Sequence, residues 1–129
     1  MTSVGMKKVL ELPFDSALDA VTQALGKEGF GVLTDIDVAA TLQKKLGVDF
    51  RRYRILGACN PALAHRVLSA DLNAGVMLPC NVVVYEEAPN RTVVTAVDPL
   101  QTMAKELGPE VRSVAEEVRV KLGRILSSL

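Results

Sequence analysis

The chain is predicted to be an α+β domain, a mostly antiparallel, curved sheet of about five strands with helices packed on it. Three observations lead there. Segments that alternate apolar and polar residues are interleaved with segments of helical period. Two Val-rich strands late in the chain are joined by a tight turn and so cannot be parallel. A charged final helix carries a long apolar stripe, which needs a surface to lie on.

A short strand is predicted over Met6 to Leu12, behind a loose lead-in at residues 1–5. Phe14, Leu18, Val21 and Leu25 then recur at helical spacing, with Gly29 placed as the C-terminal stop. From Phe30 to Ile36 the pattern alternates, putting Phe30, Val32, Thr34 and Ile36 on one side of a second strand. Asp37 is placed to cap a short helix carrying Val38 and Leu42 that stops at Gly47. Arg52 to Cys59 alternates again, with Tyr53, Ile55, Gly57 and Cys59 on one face. Asn60 is a favoured N-cap and Pro61 suits the first helical position, so a helix is expected to begin at once and run to about Ala70. Asp71 to Pro79 is expected to be a loop, and Cys80 to Glu86 with Thr92 to Val97 a hairpin through a Pro-Asn turn. Val111, Val114, Val118, Leu122, Ile125 and Leu129 form the apolar stripe of the last helix.

A length of 129 residues fits one domain spanning 1–129. Hydrophobic residues make up 49% and charged residues 23%, a globular balance. Fifteen basic side chains offset fifteen acidic ones, so no net field draws in a phosphate backbone or an anionic membrane. With no Trp and five scattered Phe and Tyr, an aromatic platform for bases is also missing, and neither nucleic acid nor membrane is expected as a partner. The first eight residues lack a secretory pattern, and no apolar run reaches the roughly 18 residues of a membrane span, so a cytoplasmic location is expected. In that reducing setting both cysteines are expected as thiols.

Two phrases mirror each other: Gly57-Ala58-Cys59-Asn60-Pro61 and Leu78-Pro79-Cys80-Asn81. Each puts a Cys-Asn pair at a strand terminus beside proline. Antiparallel neighbours would bring both cysteines to one end of the sheet, and a parallel crossover would separate them. Cys59 also precedes a helix N-terminus, whose free amides favour a thiolate or an anion. Cys59, Asn60, Cys80 and Asn81 are therefore the candidate ligand-binding residues; against this, free cysteines commonly serve as small buried hydrophobes. His65, the one histidine, is expected to face solvent, away from Leu63, Val67 and Ala70, which argues against both a metal site and a Cys-His nucleophile. No metal or cofactor is implied. The run Arg51, Arg52, Arg54 is expected to be a solvated strand edge, and Asp35 with Asp37 to cap a helix rather than perform acid-base work.

The chain resembles the family known as domain of unknown function 302. The resemblance runs from Met6 to about Pro99, through Gly29-Phe30-Gly31-Val32, Thr34-Asp35-Ile36-Asp37-Val38, Tyr53 to Pro61, and Leu78 to Tyr85. It implies a β-α-β(4)-α sheet in a TATA-binding-protein-like arrangement and a protein that pairs as a homodimer. It implies no established activity, so whether the chain is an enzyme stays undecided. Three functions remain open: a binding module with a small pocket near Cys59 and Cys80, a thiol-based redox sensor or enzyme with Cys59 as the reactive thiolate and Cys80 as its resolving partner, and a purely structural homodimeric domain.

Overall fold

In the computed structural model, residues 5–102 and 108–129 are described. The elements follow in the order β1 (Gly5–Leu10), α1 (Phe14–Lys27), β2 (Gly31–Asp37), α2 (Val38–Leu46), β3 (Tyr53–Cys59), α3 (Pro61–Ala70), a 3-10 helix (Leu72–Met77), β4 (Cys80–Ala88), β5 (Arg91–Val97), α4 (Pro99–Thr102) and α5 (Pro109–Ser128). The strands form one sheet in the order β1-β5-β4-β3-β2, and every neighbouring pair is antiparallel. The expected α+β class is therefore observed. Of the expected lead-in, residues 1–4 lie outside the described residues, and Gly5 already pairs with Val97 in β1.

Alternation along the strands sorts side chains onto two faces. Leu56 of β3, Val82 and Val84 of β4, and Val94 and Ala96 of β5 share one face with Leu10 of β1, as their register requires. Against them pack Phe14, Val21 and Leu25 of α1, Leu63 and Val67 of α3, and Val111, Val114, Val118 and Leu122 of α5, forming a single core cluster. Val93, of opposite parity, is fully buried yet stands outside that cluster. The apolar stripe read in the sequence is thus the face by which α5 lies on the sheet side, touching α1, α3, α4, β1 and β5.

Local signals set the boundaries. The Asp37 side chain accepts from the Ala40 amide at 3.0 Å, opening α2 where expected. Gly47 closes α2 in the left-handed region (φ 66°), a conformation that costs glycine least. Phe30 N–H donates to the Leu25 carbonyl at 2.9 Å, turning the chain out of α1 into β2. Asn90 takes φ 60° at the hairpin tip, where the Pro-Asn turn was expected.

Three expectations need correction. The face Phe30-Val32-Thr34-Ile36 is split, because the register shifts between Val32 and Thr34: Val32 pairs with Ala58, Thr34 with Gly57 and Ile36 with Ile55. Leu33 is the extra residue, and it changes which way the second half of the strand faces. Asp71 to Pro79 is more than a loop, since Asp71 accepts from the Asn73 amide at 2.9 Å and caps the 3-10 helix. The Arg51-Arg52-Arg54 run is not a sheet edge, because β3 lies between β4 and β2. Each of these arginines is engaged. Arg52 grips Asp15 through two nitrogens (2.6 and 3.3 Å) with its guanidinium carbon 4.4 Å from the centre of the Phe14 ring. Arg54 meets Asp35 at 2.8 Å and Asp37 at 3.5 Å, and Arg51 donates to the Glu86 carbonyl at 3.4 Å.

Candidate functional site

β3 ends at Cys59 because Asn60 and Pro61 start a helix there. The Asn60 Oδ1 accepts from the Leu63 amide at 3.4 Å, and the Ala64 amide donates to the Asn60 carbonyl at 2.9 Å, so α3 is capped and closed within its first turn. The other end of the same side chain reaches back: Nδ2 donates to the Glu28 carbonyl at 3.4 Å, tying α3 to the end of α1. A Cβ added at the adjacent Gly29 would come within 3.1 Å of that nitrogen.

After α3 and the 3-10 helix the chain re-enters the sheet as β4, antiparallel to β3, with Cys80 directly across from Ala58. The two Cys-Asn phrases therefore meet at one end of the sheet, as antiparallel pairing demands. They are one step out of line. Cys80 shares the helix-covered face with Ala58, whereas Cys59, the last residue of β3, borders the same corner from the strand end where the chain turns into α3. Gly57, also at this end, is required by close packing: a Cβ there would fall 2.1 Å from Thr34 Oγ1 and 2.7 Å from Pro79 Cγ.

Between this sheet end, α3 and α5 lies a cavity of about 280 Å³. Cys59, Asn60 and Cys80 line it from the strand ends, Leu63 and Val67 from α3, and Val114 and Val118 from α5. Small side chains leave the room: Ala58, Ala64 and Ala115 all border it. Leu33, the bulge residue of β2, also borders it and is 68% exposed, which marks the mouth. Asn81 does not reach this cavity. It is exposed and lines a second, more polar one of about 250 Å³ with Val97, Pro99 and Thr102, and Leu78, Pro79 and Cys80 form the wall that both cavities share.

Ion pairs fix the helices that frame the first cavity. Arg66 of α3 pairs with Glu117 and, at 3.2 Å, with Glu110, both on α5. Arg124 of α5 pairs with Glu28, just past α1, at 2.8 Å. The thiols are free, Cys59 half-buried and Cys80 buried. Burial, and secondarily the charge that Cys59 would carry, pushes the Cys80 thiol up to about 11. His65 is exposed on α3, and among the described residues no three His, Cys, Asp or Glu side chains gather as a metal site would require.

Sequence reasoning found the strand-end wall of the cavity and missed the α5 wall. Val114 and Val118 carry no local sign of a binding surface, because an apolar stripe looks the same whether it meets a core or a cavity. That Ala64 of α3 and Ala115 of α5 border one cavity is visible only once the helices are placed.

Fold and cavity together define an antiparallel α+β domain with α1, α3 and α5 on one sheet face and an apolar pocket at one sheet end. The model of the family described as "Domain of unknown function DUF302" matches residues 6–129, and the chain belongs to that family. A solved structure described as an uncharacterized conserved protein DUF302 from Bacillus stearothermophilus is similar throughout, at 30% identity, with 98% of each chain covered and a TM-score of 0.88. Comparison with curated proteins finds no match. Among the described residues, no helix is long and apolar enough to cross a membrane.

Proposed function

We propose that the chain acts as one domain, over residues 1–129, that binds a small molecule in the cavity bordered by Cys59, Asn60 and Cys80. The observation that carries this reading is the cavity itself. About 280 Å³ of space against an apolar wall, open past Leu33, holds water that the wall cannot hydrogen-bond, and an apolar ligand gains by displacing it. The competing thiol mechanism draws less support. A Cys80 thiol pushed up to about 11 holds little thiolate at neutral pH and so makes a slow resolving partner for Cys59, and Cys80 pairs across the sheet with Ala58, one residue out of register with Cys59. Titration of the ¹⁵N-labelled chain with naphthalene tests the binding reading. Saturable shifts at Leu63, Val67, Val114 and Val118 are expected, and the absence of any saturable shift would remove it.

Homodimerisation is a second proposal, with a second copy as the partner. Ile36 and Phe50 are each 48% exposed and Leu46 is 69% exposed, and a net charge of zero leaves no long-range repulsion between copies. Light scattering is expected to return twice 13.8 kDa, and a mass near 13.8 kDa across a broad concentration range would contradict it.

A further inference from the structure

The cavity's chemistry also restricts what fits it. Its wall is built from apolar side chains of three elements, Phe30 beside β2, Leu63 and Val67 of α3, and Val114 and Val118 of α5. Among the described residues that line it, none carries a basic or acidic side chain, so a bound carboxylate, phosphate or ammonium would find no counter-ion. The polar side chain at the rim, Asn60, is already engaged at both ends, accepting from Leu63 and donating to Glu28. The hydrogen and lone pair it has left are those of a neutral amide, which cannot neutralise a charged head group.

Size sets the other limit. A cavity of about 150 Å³ lined by Leu, Ile and Phe takes benzene, so one of about 280 Å³ has room for roughly ten to twelve heavy atoms. From this lining and volume we infer that the cavity selects a neutral, apolar molecule of two-ring size or an equivalent short chain, and discriminates against the charged form of the same skeleton. This rests on the proposed binding role of the cavity. The Cys80 thiol, set in the same wall, supports it: burial holds that group in its neutral form up to about pH 11, against an ordinary value of 9.0. The direction is the one an apolar surrounding imposes on an ionisable group, with a smaller contribution from Cys59.

The test compares naphthalene with 2-naphthoate on the full chain at pH 7, by NMR titration with residue-resolved shifts. Naphthalene is expected to saturate at Leu63, Val67, Val114 and Val118, with 2-naphthoate binding there at least about tenfold more weakly. If 2-naphthoate binds these residues as tightly as naphthalene or more so, the cavity does not discriminate against charge; the inference of a neutral ligand then fails while the binding role stands. If neither probe gives a saturable shift, the binding role fails and the inference falls with it. The Ala64→Leu variant, which adds a side chain to the cavity wall, is expected to weaken naphthalene binding at least about tenfold. Shifts that saturate in the variant as in the wild type would place the probe elsewhere and overturn the assignment of these residues.

Discussion

Asn60 and Cys80 show how differently two residues of one recurring phrase are used. Asn60 serves packing: its side chain caps α3 and ties it to the Glu28 carbonyl at the end of α1. Replacing it by Ala is expected to cost about 1–2 kcal/mol in a urea titration, the usual worth of a lost cap. A variant as stable as the parent would show that neither of the 3.4 Å bonds matters. Cys80 has its effect through burial. Its thiol titrates near 9.0 when unfolded and near 11 when folded, so below pH 9 both states are protonated and the group is neutral in the balance. Between those values the unfolded chain loses the proton first, and stability falls as pH rises, by about 2–3 kcal/mol in all. Stability measured from pH 8 to 11 is expected to drop more steeply for the parent than for Cys80→Ala; parallel curves would contradict the burial. The Asn60-Pro61 helix start was legible in the sequence because capping is settled within four residues. The thiol's environment was not, since it depends on helices distant in sequence.

The elements were legible where periodicity or punctuation marks them, and illegible where tertiary packing decides. α5 and the β4-β5 hairpin follow from stripe and turn signals, and α2 from Asp37 and Gly47 at its two ends. The bulge at Leu33 left no trace in the pattern Phe30, Val32, Thr34, Ile36, which alternates as an unbroken strand would. It arises in the pairing of β2 with β3, where Thr34 stands over Gly57. Gly57→Ala is therefore expected to destabilise by about 1–3 kcal/mol, the range for forcing an atom into a filled space. Adding Thr34→Ala to it should recover part of the loss, because the 2.1 Å approach involves the Thr34 hydroxyl, while the Pro79 ring at 2.7 Å remains. A double-mutant cycle with no coupling would show that the close approach is relieved by other movement.

At the scale of the molecule, an antiparallel sheet brings the end of β3 and the start of β4 together, and helices α3 and α5, held by the Arg66 pairs, stand off from that corner far enough to leave space. The corner was foreseeable from two Cys-Asn phrases once antiparallel pairing was assumed. The space was not, because it is a difference between the separation of two helices and the volume of the alanines and valines between them. The claim that this space is a binding site is tested most directly by calorimetric titration of naphthalene into the parent chain and into Ala64→Leu. Leucine favours a helix nearly as well as alanine does, so α3 should persist and the cavity should shrink. The expected result is saturable binding to the parent and at least about a tenfold loss of affinity in Ala64→Leu, whose added side chain occupies the site. Equal affinity in the two proteins, or no binding to the parent at all, would contradict it.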